Sequence, residues 1–170
     1  MKPNIFLTGF MGSGKTTVGY KLAAMANMEF CDLDALIEKT VQLPISRIFE
    51  QKGEFWFRQL ESRILYEASE GSNKVLATGG GVVLRQANRS KMKSSGIVVA
   101  LAADIDTIWE RLKNSTDRPL ISGDNPRKAL ENLYRQRIAL YRDAHFIVEV
   151  DGKSPEFLAG EILRLINAVN

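Results

Sequence analysis

Short hydrophobic runs alternate along this chain with longer segments in which apolar residues recur every three or four positions. A continuous run such as residues 97–101 is typical of a parallel strand buried on both faces, and the three- or four-residue spacing is typical of a helix. Strand and helix therefore alternate, which predicts an α/β fold with a parallel sheet. The predicted strands are residues 5–8, 29–32, 75–78, 97–101 and 146–150.

A glycine-rich segment, residues 9–17, joins the first predicted strand to the first predicted helix. It fits the P-loop pattern, because Gly9 begins it, Gly14 and Lys15 end it, and the hydroxyl residue Thr16 follows. Such a loop turns successive N–H groups into one concavity that holds phosphate oxygens, and the next helix adds the positive end of its dipole. We expect Lys15 to reach the β- and γ-phosphates and Thr16 to offer its hydroxyl to Mg²⁺. The segment thus predicts a bound nucleoside triphosphate.

Two other interpretations of this segment are a turn that binds no ligand and a dinucleotide-binding fold. The complete pattern, placed between a strand and a helix, argues against the first. The second needs a third glycine at the position where Thr17 stands. The helix after the loop is expected to bury Val18, Leu22 and Met25 on one face.

Two carboxylates, Asp32 and Asp34, stand at the end of the second predicted strand. Their spacing puts both side chains on one side of an extended chain, at the sheet edge where such folds bind ligands. We expect Asp32 to hold Mg²⁺ through its water shell and Asp34 to accept a proton from a substrate hydroxyl. The alternative is that one of these two carboxylates, Asp34 in particular, caps the helix that begins near Ala35. Asp104 and Asp151 also follow strands, but the first is interpreted as a helix cap and the second as part of a turn.

The segment between the second and third strands is too long for a simple crossover and is predicted to contain three helices, with Gly53 separating the last two. Arg58 lies at the edge of the apolar stripe of the third helix, within one turn of Glu54 and Glu61. Helix geometry alone favours a solvated ion pair that contributes about 0.3 kcal/mol. The stripe itself consists of Phe57, Leu60, Ile64, Leu65 and Ala68.

Three consecutive glycines, residues 79–81, end the third strand. Their lack of side chains lets the backbone meet a ligand, and we favour this over a flexible turn, for which one glycine would suffice. A polar loop at residues 114–125 interrupts two helices, as an active-site lid does. Arg118 in this loop is expected to reach the transferring phosphoryl group. The alternative is an ordinary surface loop with a solvated arginine.

The helix after this loop begins at Asn125 and Pro126, a cap followed by a proline in the first turn. Arg137 falls on the apolar stripe of this helix, and a charge that faces the core is costly unless it meets an anion. That anion is either an internal carboxylate or a bound substrate, and the pattern does not separate the two. The stripe consists of Leu130, Leu133, Tyr134, Ile138 and Tyr141.

Composition limits the possible functions further. The length of 170 residues suits one domain. Cys31 is the only cysteine and His145 the only histidine, which argues against a disulfide framework and against thiolate or histidine zinc sites. The net charge of +3 suits small anions better than nucleic acid. The chain has no apolar stretch long enough to span a membrane and no room for a signal peptide before the first strand. We therefore expect a cytoplasmic protein that binds neither nucleic acid nor membranes.

These motifs together resemble the shikimate kinase family, and the resemblance covers nearly the whole chain. Each motif is weak alone, but their order and spacing are specific in combination. The matching segments are residues 9–17, 32–34, 48–54, 57–61, 79–81, 118–120 and 137–141.

The resemblance implies a three-layer P-loop kinase fold with a five-stranded parallel sheet. Residues 1–170 would form one domain, with a substrate-binding insertion at about 33–61 and a lid at about 112–125. The implied reaction is ATP-dependent phosphorylation of the 3-hydroxyl of shikimate to shikimate 3-phosphate, on the route to chorismate and the aromatic amino acids. One Mg²⁺ ion per subunit and a monomeric enzyme are expected.

The resemblance also implies roles for individual residues. The catalytic residues would be Asp34, Lys15 and Arg118. ATP would be bound by Gly12, Ser13, Gly14, Lys15, Thr16, Thr17, Arg111, Arg118 and Lys153, with Arg111 and Lys153 flanking the adenine. Shikimate would be bound by Asp34, Phe57, Arg58, Gly79, Gly80, Gly81 and Arg137. The metal would be held by Thr16 and Asp32.

Two arginines on one small carboxylate make an oriented, bidentate grip. The resemblance therefore reverses the interpretation of Arg58 from helix geometry, and it supplies the anion that Arg137 needs. Two rival functions are another small-molecule kinase of this build, such as gluconate kinase, and a regulatory ATP-binding protein. The paired arginines and the three glycines argue against the first, and the insertion and the lid argue against the second.

Overall fold

A computed structural model describes residues 2–114 and 125–168, and within them five parallel strands form one sheet in the order β2-β3-β1-β4-β5. The strands are β1 (Asn4–Thr8), β2 (Glu29–Asp32), β3 (Lys74–Ala77), β4 (Gly96–Ala102) and β5 (Phe146–Glu149). The α-helices are α1 (Lys15–Ala26), α2 (Leu33–Val41), α3 (Ile45–Ala68), α4 (Gln86–Ser95), α5 (Ile105–Leu112), α6 (Pro126–Tyr141) and α7 (Pro155–Asn167). A single 3₁₀ turn, Val82–Leu84, precedes α4.

The central strand is β1, and all of its residues are buried. Ile5 pairs with Val75 of β3 on one side and with Ile97 of β4 on the other. Burial on both faces explains the continuous hydrophobic runs. The alternating strand and helix pattern is confirmed, with the strand bounds differing from the expected ones by at most one residue.

The helices cover both faces of the sheet. From β1 the chain passes through α1 to β2 at one edge, whereas α4 leads from β3 past β1 to β4. Strand–helix–strand crossovers in a parallel sheet are right-handed. Two helices whose crossovers run in opposite directions along the sheet therefore lie on opposite faces. Accordingly α1 packs against α7 on one face, and α3 packs against α4 on the other. The result is a three-layer α/β fold whose crevice lies beyond the carboxyl ends of the central strands, the usual ligand position in such sheets.

Helix α3 is one element with a break at Gly53, whose backbone has φ 79° and ψ 167°. These angles are essentially restricted to glycine, so the break predicted from Gly53 is confirmed. The apolar stripe of the second half of α3 is buried as expected. The break turns the residues after Gly53 into the start of a second helical segment.

One expected core residue lies outside the core. Val18 and Leu22 of α1 are buried, but the side chain of Met25 is 52% exposed, so the expectation for Met25 is wrong. Met25 lines a cavity of about 210 Å³ at the C-terminal end of α1, where α7 covers the helix only partly. Within the part of the chain that the structure describes, every helix is too short or too polar to span a lipid bilayer.

Candidate active site

The P-loop lies between β1 and α1, as the sequence predicts. Gly12 and Gly14 have φ 77° and 94°, values that side-chain-bearing residues rarely adopt. The N–H of Ser13 donates to the carbonyl of Phe10, which closes the turn at 3.2 Å. No side chain caps α1 at Gly14, so the first N–H groups of the helix face the crevice. This arrangement suits an anion such as phosphate.

Two predicted P-loop side chains point into the protein. The Nζ of Lys15 donates to the carbonyls of Gly9 and Phe10 at 2.9 and 3.0 Å, and the residue is buried. A Cβ added to Gly9 would lie 2.7 Å from the Oγ of Ser13, so the Ser13 hydroxyl fills the space under the loop. The buried hydroxyl of Ser13 therefore does not face the ligand side of the loop. Thr16 and Thr17 stand exposed in the first turn of α1.

The pair predicted to hold the metal is brought together. The hydroxyl of Thr16 donates to Oδ2 of Asp32 at 2.6 Å. The Oδ1 of Asp32 accepts from the N–H groups of Asp34 and Ala35 at 3.0 and 3.2 Å. Asp32 is thus the cap of α2, so the alternative in which one of the two carboxylates caps this helix is confirmed for Asp32, and the suggestion that Asp34 does so is wrong. Because the cap fixes the Asp32 carboxylate beside Thr16, its second oxygen is held toward the P-loop.

These oxygen ligands suit Mg²⁺, which is usually held by one or two carboxylates together with phosphate oxygens and water. Within residues 2–114 and 125–168, no cluster of three or more His, Cys, Asp or Glu residues suited to a metal is found. The competing acids lie elsewhere. Asp104 stands at the cap position of α5 without a side-chain capping bond, and Asp151, in a turn, accepts from the Asp104 N–H at 2.9 Å.

The glycine run after β3 leaves room for charged side chains. A Cβ on Gly79 would lie 2.7 Å from Oδ1 of Asp34 and 2.8 Å from Oε1 of Glu61. A Cβ on Gly81 would overlap the guanidinium group of Arg58. The glycines therefore allow two carboxylates and one arginine to approach the backbone closely, which supports the functional interpretation of the run over the flexible turn.

Arg58 is the most closely surrounded residue of the site. It is only 8% exposed, and its Nη1 donates to Glu61 at 2.8 Å. Its Nε and Nη2 both donate to Oε1 of Glu54, at 3.3 and 3.2 Å. Its Cζ lies 5.1 Å from the ring centre of Phe57, which is itself buried, and 5.9 Å from that of Phe49. The solvated ion pair expected from helix geometry is therefore wrong, because α3 packs this face against the glycine run.

Glu61 is a buried residue of the site that was not predicted from the sequence. It is 1% exposed, and burial raises the pKa of its carboxyl, although the charge of Arg58 offsets part of the effect. A signal was available, since Glu61 is four residues after Phe57 and so shares the apolar stripe, the argument that singled out Arg137.

Arg137 faces the core from α6, as predicted, with 6% exposure. Among the described residues no carboxylate oxygen lies within 4.0 Å of its guanidinium nitrogens. The guanidinium group of Arg137 lies near the hydroxyl of Tyr141, and that hydroxyl donates to the carbonyl of Gly80. Burial raises the pKa of Tyr141 to about 12, so the phenol stays protonated and remains a donor. Tyr141 thereby connects α6 to the glycine run.

The three remaining predicted residues have different outcomes. Arg111 donates to the carbonyl of Gly12 at 2.8 Å, so it lies against the P-loop. Lys153 pairs with Glu161 at 2.9 Å and lies 5.7 Å from the ring centre of Phe157, both in α7. Arg118 lies outside the described residues, together with the rest of 115–124.

The fold and the loop define a class, the P-loop phosphotransferases of nucleoside-monophosphate-kinase type. The family model described as shikimate kinase matches residues 11–167. A shikimate kinase of Thermodesulfovibrio yellowstonii is 40% identical over 161 residues, which make up 95% of this chain and 93% of that protein. A shikimate kinase from Acinetobacter baumannii, solved in complex with shikimate, is 40% identical with a TM-score of 0.96, over 100% of this chain and 96% of that one. The chain belongs to the shikimate kinase family.

A gluconokinase from Sinorhizobium meliloti is similar at the level of the fold alone. Its identity is 17% and its TM-score 0.59, over 98% of this chain and 93% of that chain. The likeness therefore shows a shared architecture and carries no argument for gluconate as a substrate.

Proposed function

We propose that this protein transfers the γ-phosphoryl group of ATP to the 3-hydroxyl of shikimate, a step toward chorismate and the aromatic amino acids. The observation that carries the proposal is the buried Arg137, which has no carboxylate ion-pair partner in residues 2–114 and 125–168. A buried cation of this kind needs an anion, and a substrate carboxylate supplies one. A relative in the same family solved with shikimate supports the choice of acid.

The carboxylate of shikimate would lie between Arg58 and Arg137. Both arginines are buried, and each lies against the glycine run, Arg58 directly and Arg137 through Tyr141. The ring of Phe57 packs against the guanidinium group of Arg58. The backbone of residues 79–81 would line the other side of the substrate.

Phosphoryl transfer asks the chain mainly to position groups and to neutralise charge. Lys15 would exchange the carbonyls of Gly9 and Phe10 for β- and γ-phosphate oxygens. Asp34 would orient the 3-hydroxyl and take its proton as the new O–P bond forms and the bond from the γ-phosphorus to the bridging oxygen of ADP breaks. Arg118 would contact the γ-phosphoryl group.

Thr16 and Asp32 would hold one Mg²⁺ ion, which neutralises phosphate charge when it is bound. The backbone of Gly12, Ser13 and Gly14, with Thr17, would bind the phosphates. Arg111 and Lys153 would flank the adenine, for which Lys153 would have to leave Glu161 or use its alkyl stem.

The boundaries and the setting are part of the same proposal. Residues 1–170 would form a single kinase domain, with the substrate-binding insertion at 33–61 and the lid at 112–125. The enzyme would act as a monomer in the cytoplasm. Size-exclusion chromatography with light scattering measures whether the enzyme is a monomer.

A panel of hydroxy acids in a coupled ADP-release assay tests the proposal. We expect turnover with shikimate and much slower turnover with gluconate and with neutral polyols. Turnover with gluconate but not with shikimate would overturn the assignment in favour of the rival kinase. ADP release that depends on no added acceptor would indicate an ATP hydrolase.

Arg137→Ala tests the grip on the carboxylate. We expect the KM for shikimate to rise about ten- to a hundredfold, because a charge-assisted hydrogen bond is lost, while the KM for ATP changes little. The matched control is Arg135→Ala, an exposed arginine of the same helix. Arg58→Lys should also raise this KM, and the double variant should be non-additive because both residues hold one anion. On a shikimate analogue without the carboxylate, all variants should match the wild type; a persistent defect there would mean that the arginines hold the protein and not the substrate.

A further inference from the structure

Glu54 lies where a substrate carboxylate would be expected to bind Arg58. One oxygen of Glu54 accepts from both Nε and Nη2 of Arg58, at 3.3 and 3.2 Å. That edge of the guanidinium group is a preferred site for a carboxylate. The mechanism gives Glu54 no role, so its position on Arg58 needs an explanation.

The two acidic partners of Arg58 differ in their surroundings. Glu61 is buried with a short 2.8 Å contact, whereas the side chain of Glu54 is 48% exposed and its contacts are long. Removing Glu54 would leave Arg58 held by Glu61, by the rings of Phe57 and Phe49, and by the glycine run. The contact with Glu54 is therefore the replaceable one.

The backbone around Glu54 gives its carboxylate a second place to go. Glu54 follows the break at Gly53, so it stands in the first turn of the second helical segment of α3. An acidic side chain is favourable at a helix N-terminus even when it has no ion-pair partner. Around Gly53 the structure is open, with no atom within 4 Å of an added Cβ. The Glu54 carboxylate can therefore leave Arg58 and still have a favourable environment for its charge.

We propose that Glu54 is an internal competitor of the substrate, which occupies Arg58 until the carboxylate of the substrate displaces it. This inference rests on the proposed function. A ligand that brings its own carboxylate replaces one anion by another on Arg58. A neutral polyol displaces nothing from Arg58, so Glu54 lowers the affinity for acids and leaves the affinity for neutral ligands unchanged.

Two substitutions separate the contact from the charge. Glu54→Gln keeps the length of the side chain and removes the charge, whereas Glu54→Asp keeps the charge and is too short to hold the Nε and Nη2 edge. Both should bind shikimate about two- to fivefold more tightly than the wild type in calorimetry, the range expected for losing one half-exposed ion pair. The affinity for ATP should not change. The matched control is Glu50→Gln, which removes an exposed partner of Arg47 from the same helix and should leave both affinities unaltered.

The outcomes decide between distinct explanations. Weaker or unchanged binding in both Glu54 variants overturns the inference, since Glu54 would then position Arg58 or do nothing. Tighter shikimate binding by Glu54→Gln but not by Glu54→Asp also overturns the inference. In that case the loss of the negative charge, and not the loss of the contact with Arg58, would explain the change in affinity. The wild type and both variants should bind the analogue without a carboxylate with equal affinity. Tighter binding of this analogue by the variants would contradict the proposal that the substrate carboxylate displaces Glu54. Normal binding by the wild type with unaltered variants refutes the inference alone, whereas no binding of shikimate by the wild type refutes the proposed function and the inference together.

Discussion

At the scale of single residues, the buried pair of Arg58 and Glu61 has the clearest energetic consequences. Burial raises the pKa of Glu61 in the folded protein above its ordinary value of 4.5. Between these two pKa values, the folded chain binds a proton that the unfolded chain has released. The stability contributed by protonated Glu61 is therefore present at low pH and is lost as the pH rises through the raised pKa.

Glu61→Gln should remove this pH dependence. From pH 4.5 upward, the free energy of unfolding of the wild type should fall relative to that of Glu61→Gln, by about 1.4 kcal/mol for each pH unit that separates the two pKa values. Urea unfolding of both proteins over a pH series measures the difference. Glu67→Gln, an exposed residue of the same helix, should show no such trend. If the free energy of unfolding of the wild type instead rose relative to that of Glu61→Gln as the pH increases, the raised pKa of Glu61 would be contradicted.

The proposed role of Lys15 requires its ammonium group to leave the carbonyls of Gly9 and Phe10. Lys15→Met should lower kcat/KM by at least about a hundredfold, because a charge that stabilises the transferring phosphoryl group is lost. The protein should stay folded, since the apolar stem of the replacement fits the same space. Lys21→Met, which removes an exposed charge from the same helix, is the matched control. Near-wild-type turnover in a folded Lys15→Met protein would exclude the proposed kinase mechanism.

At the scale of elements, the site depends on the packing of α3 and α6 against the glycine run. Helix α3 supplies Arg58 and Glu61, α6 supplies Arg137, and Tyr141 connects α6 to the run. These helices are far apart in sequence. The missing side chain of Gly81 leaves room for Arg58 of α3, and the carbonyl of Gly80 accepts from Tyr141 of α6.

Gly81→Ala should disturb Arg58 through sterics alone. Gly81 has φ −97°, which alanine adopts without strain, but the added methyl group would overlap the guanidinium of Arg58. We expect the KM for shikimate to rise about tenfold or more with a smaller change in the KM for ATP, measured by steady-state kinetics. The control is Gly160→Ala in α7, where the nearest atom to the new Cβ is 3.7 Å away. That variant should be as active as the wild type and slightly more stable, by about 0.5–1 kcal/mol. An equally active Gly81→Ala protein would show that Arg58 can shift without loss of binding.

At the scale of the whole molecule, the two ligands would bind to different elements of one fold. The P-loop and α1 would hold the nucleotide, whereas α3, α6 and the glycine run would hold the acid. Ligands that bind only the folded state stabilise it by mass action.

Shikimate at about a hundred times its dissociation constant should therefore stabilise the protein by about 2.7 kcal/mol. For a chain of this length, that corresponds to a rise in Tm of about 5–10 °C. A non-hydrolysable ATP analogue with Mg²⁺ should add a further rise, and EDTA should remove most of the nucleotide part. Differential scanning calorimetry measures these shifts. Arg137→Ala should lose about half or more of the rise caused by shikimate and keep the one caused by the nucleotide. Loss of both would indicate a damaged fold.

Local patterns alone determined the order of strands and helices, the P-loop, the break at Gly53 and the core-facing position of Arg137. Each of these depends on the spacing of residue types within a few turns of chain, which is fully present in the sequence. The lid and Arg118 lie in residues that the structure does not describe, so they stay predictions.

Only the tertiary structure decided how the charged side chains are partnered. It made Asp32 and not Asp34 the cap of α2, and it joined Asp32 to Thr16. It buried Arg58 and Glu61, which helix geometry alone assigns to a solvated surface. The physical reason is that the free energy of a charge depends on the solvent and the partners around it, and both are set by elements that lie far away in the sequence.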